Sequence, residues 1–203
     1  VVEELWETFD EETNFLNEAR NLCEFKRFCE GYAYMDCPTP YVDLCTEHVV
    51  VMEYIEGIPI AHTRELLDDG YSLKEIGTKL VDNYASQILD AGFFHADPHP
   101  GNIEIRGGAI VLLDLGMTGR LNASMRAALK QMLFAVAKQD SAGLADALLR
   151  FAGTEINHTD YPSLLADPDA IVGAFGTVDL ADPDLAALLA QLTQTARRHG
   201  LET

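Results

Sequence analysis

Two aspartates and one asparagine lie within a single stretch of the chain, and each is a residue type that orients a proton or binds a metal ion. The stretch covers residues 93–116 and reads FFHADPHPGN, IEIRGGAIVLL and DLG. Asp97 and Asn102 have the H-x-D-x-x-x-x-N spacing of a phosphotransferase catalytic loop. Asp114 closes an apolar run and begins DLG, where such enzymes carry the D-F-G aspartate that holds Mg²⁺. The spacing therefore predicts phosphoryl transfer.

The residues between Asn102 and Asp114 predict a β-hairpin. Residues 102–105 can form one short strand, residues 106–108 a tight turn, and residues 109–113 the return strand. Because a hairpin brings its two ends together, we expect Asn102 and Asp114 to lie side by side. One Mg²⁺ could then bridge them.

Phosphoryl transfer requires positioning and charge neutralisation more than covalent chemistry from the protein. Asp97 would orient the nucleophile, while Asn102 and Asp114 would hold Mg²⁺ against the phosphate oxygens. A plain Pro/Gly turn between a helix and a hairpin is the simpler alternative. Such a turn, however, does not require these three side chains at these separations.

His95 and His99 leave a different alternative open, because H-x-D-x-H resembles half of a hydrolase metal site. No further His-rich motif follows in the sequence, since His158 is isolated and His199 lies near the C-terminus. We therefore expect His95 to be a structural residue that holds the loop.

At this loop the sequence resembles the UbiB family of atypical kinases. The resemblance rests on HADPHPGN followed by VLLDLGMTGRL, with both prolines and the second histidine, and it covers about residues 3–153. Ordinary protein kinases carry H-R-D at this place and aminoglycoside phosphotransferases carry H-G-D. The resemblance implies a kinase or ATPase that uses ATP and Mg²⁺. It also implies a role in ubiquinone or related isoprenoid-quinone metabolism at a membrane surface.

Residues 3–30 predict a helix, and Glu18 shares its apolar face with Phe15 and Leu22. A carboxylate that faces a core requires a cation, whereas an ordinary exposed Glu at the edge of the stripe does not. The segment ETNFLNEARN resembles the UbiB-type E-x-D-F-x-x-E-A-x-N helix, with Asn14 in place of the family's second acid. The resemblance implies that Glu18 pairs with the lysine that grips the phosphates.

We expect that lysine to lie outside this chain. No phosphate loop rich in Gly or Ala, no V-A-x-K strand and no K-x-G-Q extension precedes the helix, and Lys26 lies on the helix itself. The sequence therefore predicts a fragment that begins inside the small lobe and has little activity alone. We expect the C-terminal end to be truncated as well.

A kinase-like hinge is predicted after residues 49–52, whose β-branched content favours a buried strand. The segment MEYIEG resembles such a hinge. Exposed backbone C=O and N–H groups at Glu53 and Ile55 would meet the adenine edge of ATP, and Met52 would lie behind it. The signal is weak alone and depends on its position between the helix and the loop.

Four further helices follow from capping signals and apolar spacing. Ser72 opens a capping box for a helix to about residue 90, with residues 76, 80, 84 and 88 on its core face. Asn122 can cap a second helix and either Asp140 or Ser141 a third. A last helix would run from about residue 182 to about residue 199. The absence of a long activation segment and of A-P-E favours an ATPase or a small-molecule kinase.

Composition excludes some partners. The chain of 203 residues has 14 basic and 33 acidic residues, a formal charge of −19, which argues against binding nucleic acid or anionic lipid by charge. No apolar run reaches the ~20 residues of a membrane span and no signal peptide is visible. We expect a cytoplasmic protein, with a peripheral position at a membrane implied only by the resemblance. The cysteines lack the spacing of a zinc C-x-x-C pair or of a disulfide framework and should be reduced thiols, with a structural metal as the less favoured alternative: Cys23, Cys29, Cys37 and Cys45.

The predicted fold is α+β and kinase-like. Residues 1–57 would form a partial small lobe with the helix, strands and hinge, and residues 58–203 a mostly helical large lobe with the catalytic loop and DLG. Two other functions stay open: a nucleotide-binding, pseudokinase-like regulatory or scaffold module, and an aminoglycoside-type small-molecule phosphotransferase. Retention of Asp97, Asn102 and Asp114 together argues against the first, and the double-proline loop argues against the second.

Overall fold

The structure, a computed structural model, describes residues 14–151, 168 and 171–173. The chain divides into two compact units, Val1–Arg120 and Leu121–Thr203. All of the predicted site residues belong to the first unit. The lobe boundary predicted between residues 57 and 58 stays a prediction.

The first unit contains three α-helices and six short strands among the described residues. The helices are α1 (Phe15–Cys29), α2 (Thr63–Asp68) and α3 (Leu73–Ala85), and α3 continues as a π-helical segment, Ser86–Ala91. The strands are β1 (Met35–Asp36), β2 (Ile58–Pro59), β3 (Phe93–His95), β4 (Ile103–Arg106), β5 (Ala109–Leu112) and β6 (Thr118–Arg120). Two 3₁₀ turns, Val42–Leu44 and Pro100–Asn102, complete it.

The strands form two sheets around the predicted loop. The larger sheet has the order β1-β5-β4-β2, with β1 parallel to β5 and the other pairs antiparallel. In the smaller sheet β3 pairs antiparallel with β6, so that His95 lies opposite Thr118. The chain thus enters the catalytic loop from one sheet and continues into the hairpin of the other.

The predicted hairpin is confirmed with a tighter turn. Arg106 pairs with Ala109, which leaves only Gly107 and Gly108 in the turn, with φ angles of +58° and +82°. Positive φ at both central residues is what a two-residue hairpin turn needs to follow the twist of the strands. Ile103 pairs with Leu112 at the open end.

Helix α1 begins at residue 15, capped by the Asn14 side chain, which accepts a hydrogen bond from the Leu16 N–H at 3.1 Å. Asn caps a helix about as well as Asp does, so Asn14 serves as the N-cap although it replaces the acid of the UbiB-type pattern. The predicted residues 3–13 of the helix lie outside the described part of the chain. Its buried face packs into one core with α2, α3 and both hairpin strands: Leu22, Phe25, Cys29, Met35, Cys37, Leu66, Ile76, Phe93, Ile103, Ile105, Ile110, Leu112 and Leu115.

Helix α3 starts at the predicted capping box, where the Ser72 hydroxyl accepts from the Glu75 N–H at 3.3 Å. It ends at Gly92, whose left-handed φ of +68° stops the π-helical segment. The predicted core face is correct at its start but not at its end. Residues 84 and 88 are only half-buried, and the buried positions there are the polar Asn83 and Gln87.

The buried strand predicted for residues 49–52 is wrong. This segment forms only isolated bridges, Thr46 with Val49 and Pro40 with Met52, and the Val49 side chain is 51% exposed. β-branched residues favour strands because they pack well on a half-buried sheet, and no sheet partner covers this segment among the described residues.

The second unit contains α4 (Ala123–Ala137) and α5 (Ser141–Phe151). Asn122 caps α4 by accepting from the Met125 N–H at 2.9 Å, and the Asp140 side chain accepts from the Gly143 N–H at 2.9 Å before α5. Both predicted caps are thus confirmed. The last predicted helix, residues 182–199, lies outside the described residues. No described helix has the length and apolar character to cross a membrane, and all four cysteines are free thiols.

We predict that Gly107→Val destabilises the protein by about 1–3 kcal/mol, because a β-branched residue is strained at positive φ. A Cβ at Gly107 meets no atom within 4 Å, so the loss would come from the backbone alone. Urea unfolding measures it. Gly77→Ala in α3 is the control, since its Cβ also meets open space and Ala gains about 0.5–1 kcal/mol in a helix. Equal unfolding midpoints for Gly107→Val and wild type would contradict the turn geometry.

Candidate active site

The hairpin places Asn102 and Asp114 at its open end. The Leu113 N–H donates to the Asn102 carbonyl at 2.9 Å, and Asp114 is the next residue. Asp114 is exposed, and its Oδ1 accepts from the Gly116 N–H at 2.8 Å. The sequence pattern therefore located this juxtaposition correctly, because a hairpin of fixed register has only one way to close.

The donor set at this end suits a hard divalent cation such as Mg²⁺, which prefers oxygen ligands. Asp114 Oδ2 and the Asn102 side chain take part in no hydrogen bond with the described residues. No group of three or more His, Cys, Asp or Glu side chains in the described part of the chain could hold a metal. A metal ion held by Asn102 and Asp114 would take its other ligands from phosphate or water.

The catalytic-loop sequence folds as a series of short hydrogen-bonded steps. The Asp97 N–H donates to His95 Nδ1 at 3.0 Å, and the Asp97 carbonyl accepts from the His99 N–H at 2.8 Å. His99 Nδ1 accepts from the Gly101 N–H at 3.0 Å, and its carbonyl accepts from the Asn102 N–H at 2.9 Å. The Asp97 side chain is left exposed.

His95 is buried, as expected of a residue that holds the loop. Only 2% of it is exposed, its Nδ1 is occupied by the Asp97 N–H, and burial lowers its pKa against the opposing charges of Asp114 and Asp97. His95 and His99 both accept a backbone hydrogen bond at Nδ1, so both rings stabilise the conformation of the loop. The alternative hydrolase metal site gains no support from the described residues.

Tyr84, predicted to be a core residue of α3, faces the loop. Burial and the Asp97 charge raise the pKa of its hydroxyl to about 12, so it stays protonated at neutral pH. Its hydroxyl oxygen is buried without a hydrogen-bond partner among the described residues. Apolar spacing in the sequence gave no sign of this electrostatic relation.

Glu18 lies beside the DLG segment. It is 8% exposed, and its pKa is raised to about 6, mainly by burial and further by the Asp114 charge. A hydrogen bond from the Leu115 backbone N–H opposes this rise. Among the described residues Glu18 forms no salt bridge, and its predicted pairing with a lysine stays a prediction.

Asn21, one turn after Glu18, contacts the backbone carbonyl of Leu115. Its Nδ2 donates to the Leu115 carbonyl at 2.9 Å, and Leu115 is fully buried. Helix α1 thus holds the Leu115 carbonyl through Asn21, while the Glu18 carboxyl group interacts with the Leu115 N–H. Asn21 is the last residue of the E-A-x-N pattern, but this pattern predicts no contact for it because it does not show what the helix faces.

Lys26 is structural, as expected. It binds Asp36 Oδ1 at 2.6 Å and the Cys37 carbonyl at 2.8 Å. Arg106 Nη2 binds the other Asp36 oxygen at 2.8 Å, and its Nη1 binds Glu53 Oε1 at 2.7 Å. This chain of ion pairs joins α1, β1 and the hairpin to the predicted hinge. The Arg106 hydrogen bond lowers the pKa of Glu53 to about 2.

The predicted hinge keeps part of its backbone available. The Glu53 N–H donates to the Thr39 carbonyl at 2.8 Å, so it is not free to meet adenine as predicted. The Glu53 carbonyl and both backbone groups of Ile55 form no hydrogen bond within the described part of the chain. Met52 packs against the core, and the Ile55 side chain is buried. The adenine contacts of Met52, Glu53 and Ile55 stay predictions.

An open hollow of about 480 Å³ lies elsewhere in this unit, at the start of α2. It is lined by Ala61, His62, Thr63, Arg64, Glu65 and Asp68. None of the predicted site residues lines it. The chemistry indicated by the loop therefore has no connection to this hollow.

Comparisons with known proteins agree with the loop pattern. A family described as the ABC1 atypical kinase-like domain matches residues 1–148. A Pseudomonas putida protein named probable protein kinase UbiB is 30% identical over 207 residues, covering the whole of this chain. An uncharacterised Clostridium pasteurianum protein encoded in a hydrogenase 1 5′ region is 31% identical over 202 residues, again across the whole chain.

A chloroplastic Arabidopsis thaliana protein named activity of bc1 complex kinase 8 is 34% identical over 143 residues, or 69% of this chain. The chain spans 38% of the length of the Clostridium and Pseudomonas relatives and 19% of the Arabidopsis one. A Mycobacterium tuberculosis protein, solved in complex with erythromycin, matches in fold with a TM-score of 0.58 at 20% identity. That match covers 96% of this chain and 56% of the other. Together with the family match, it shows a kinase-like α+β fold.

We predict that Glu18→Gln stabilises this chain by itself at neutral pH, because Glu18 is buried without a salt bridge among the described residues. The folded-state pKa of about 6 lies above the ordinary value of 4.5 for a Glu carboxyl group. The folded state thus binds the Glu18 proton more tightly than the unfolded state does. The free energy of unfolding therefore decreases as pH rises from 4.5 through 6. The variant, which can still accept from the Leu115 N–H, should be more stable than wild type by about 2 kcal/mol at neutral pH.

Urea unfolding at about pH 4 and about pH 7 measures this difference, which should vanish at the lower pH. Glu24→Gln is the control with the opposite sign. Hydrogen bonds from Arg120 at 2.7 and 2.8 Å lower the pKa of Glu24. Replacing the Glu24 carboxylate by an amide should therefore destabilise the folded protein at neutral pH. A Glu18→Gln variant less stable than wild type at neutral pH would show that Glu18 is paired with a cation.

Proposed function

Because the chain belongs to the ABC1 family of atypical kinase-like domains, we propose that it carries the catalytic loop and the metal-binding residues of a phosphotransferase or ATPase of the UbiB type that uses ATP and Mg²⁺. The proposal concerns the full-length protein that contains these residues, since the chain spans 38% of its Pseudomonas relative. Activity of the chain by itself is expected to be low.

The observation that carries the proposal is the closure of the hairpin. It brings Asn102 and Asp114 to one end, next to the loop that exposes Asp97. An exposed carboxylate for the nucleophile beside two oxygen ligands for a metal is the arrangement that phosphoryl transfer requires. A turn with no chemical role would not need it.

Asp97 would accept the proton of the attacking hydroxyl or water. Hydrogen bonds with His95 and His99 hold the Asp97 backbone. The Asp97 carboxylate takes part in neither of these bonds, so it can turn towards the nucleophile without breaking them. When bound, Mg²⁺ would neutralise charge on the phosphate oxygens. Asn102 and Asp114 would hold that ion, and the turn that Asp114 forms with Gly116 limits the rotation of its carboxylate.

The hinge and α1 would position the nucleotide. The Glu53 carbonyl can accept from the adenine amino group, and the Ile55 N–H can donate to a ring nitrogen, because neither has a partner in the described part of the chain. Glu18 would pair with a lysine outside the chain, which would remove its uncompensated burial.

We also propose that the full-length protein acts in ubiquinone or related isoprenoid-quinone metabolism, at a membrane surface where lipid or quinone precursors lie. This part is supported only by the likeness to proteins of the UbiB family.

The alternative of a binding module has one observation in its favour: Glu18 is buried without a salt bridge among the described residues. A module of this kind would bind nucleotide and turn over none. Binding and turnover must therefore be measured separately.

We predict that Asp114→Asn and Asp97→Asn each lower ATP turnover by the full-length protein by about 10²-fold or more, because one loses a metal ligand and the other the group that orients the nucleophile. Release of inorganic phosphate with Mg²⁺ present measures turnover, and calorimetry measures nucleotide binding. Asp114→Asn should also weaken the dependence on Mg²⁺. Asp97→Asn should leave nucleotide binding unchanged.

Asp68→Asn, an exposed position at the end of α2, is the matched control and should keep wild-type turnover. Nucleotide binding without turnover in the wild type would favour the binding module. Absence of both would refute the enzyme proposal.

A further inference from the structure

The end of α3 buries two amide side chains that the proposed function does not use. Asn83 and Gln87 are both 0% exposed, and Gln87 lies in the π-helical segment that leads to the catalytic loop. Burial of an amide is unfavourable unless its polar atoms find hydrogen-bond partners. π-Helical turns in α-helices are rare and occur frequently at functional sites.

The hydrogen bonds of Gln87 run towards the loop. Its Nε2 donates to Asn83 Oδ1, and its Oε1 accepts from the His95 backbone N–H at 2.9 Å. A backbone N–H can only donate, so this contact fixes which end of the amide faces His95. The Gln87 carbonyl also accepts from the Gly92 N–H at 2.8 Å. Gln87 therefore holds the connection to β3 through both its side chain and its backbone.

His95 continues the same path into the loop. Its Nδ1 accepts from the Asp97 N–H at 3.0 Å, which requires the proton of the neutral ring to lie on Nε2. Three hydrogen bonds thus connect Asn83, Gln87, His95 and Asp97 in sequence. We call this chain of four residues the amide relay.

The other side of the loop is held by the segment after DLG. The Ala96 N–H donates to the Met117 carbonyl at 3.0 Å, and β3 pairs with β6 from Phe93 to His95. That pairing fixes the strand but not the peptide group of Asp97, whose N–H is held by the His95 ring alone. The backbone orientation at Asp97 therefore depends on the His95 ring, and Gln87 holds the backbone of the residue that carries this ring.

We propose that Gln87 is a positioning residue for the catalytic loop: through His95 it sets the orientation of Asp97 without touching the substrate. The inference rests on the proposed role of Asp97. It adds a residue that neither the loop sequence nor the hairpin indicates. It also gives the π-helical segment a function, because that segment carries Gln87 at the end of α3.

The test compares three variants of the full-length protein. Gln87→Met keeps an unbranched side chain but removes both hydrogen bonds. Gln87→Glu keeps an acceptor for the His95 N–H, and Asn83 Nδ2, which has no partner among the described residues, can turn towards the new carboxyl group. Gln131→Met is the matched control, since Gln131 is exposed on α4.

Two readouts are measured for each variant: kcat and KM for ATP, and hydrogen exchange of the His95 and Asp97 amides by NMR. Gln87→Met should lower kcat by about 10- to 100-fold with little change in KM for ATP, since misplacement of the reacting groups costs this much. The two amides should exchange faster in the same variant. Gln87→Glu should restore most of both quantities, and Gln131→Met should match wild type in both.

Loss of kcat together with amide protection in Gln87→Met, with recovery in Gln87→Glu, supports the proposal. Wild-type kcat in Gln87→Met overturns it, and so does a loss of kcat with unchanged amide protection. If Gln87→Met does not fold, the Gln87→Glu variant decides. The proposal is also overturned if this variant folds and keeps the wild-type kcat while its His95 and Asp97 amides exchange fast. A wild type without turnover refutes the proposed function instead, while the amide exchange still shows whether Gln87 holds the loop.

Discussion

The peptide groups on both sides of Leu115 lie in the core, where water cannot satisfy them, and the candidate site depends on how they are satisfied instead. A buried backbone group without a partner costs about 1–3 kcal/mol. Asn21 on α1 donates to the Leu115 carbonyl at 2.9 Å, and the Glu18 carboxyl group, one turn earlier, interacts with the Leu115 N–H. The segment that carries Asp114 is therefore tied to α1 at Leu115, and a carboxyl group is buried beside it.

The loop before the hairpin follows a similar rule on a smaller scale. Polar side chains in and before this loop accept hydrogen bonds from its backbone. The rings of His95 and His99 each accept from the N–H two residues later, and the Gln87 amide accepts from the His95 N–H. Within the described part of this loop, the side chains of Asp97 and Asn102 take part in no such bond, and after the hairpin Asp114 keeps its Oδ2 available. The histidines in the motif are thus explained by geometry, which is why no metal ligand set was needed to account for them.

Local patterns predicted what local physics decides. The hairpin, the caps at Ser72 and Asn122, and the adjacency of Asn102 and Asp114 follow from turn chemistry and a fixed register, so the sequence was sufficient for them. The strand predicted for residues 49–52 failed because β-branched residues need a sheet partner. The contacts of Asn21 and Gln87 were missed for a related reason: polar residues at buried positions are recognisable only once the backbone groups they satisfy are known.

The raised pKa of Glu18 has a consequence for how a nucleotide would reach this site. Glu18 and Asp114 repel each other, Asp97 adds a third carboxyl group to the same unit, and the chain carries a formal charge of −19. A triphosphate arriving without a counter-ion therefore meets like charge. Cations bound to the triphosphate would reduce this repulsion, and ions of the surrounding solution screen it over a Debye length of about 8 Å at physiological ionic strength.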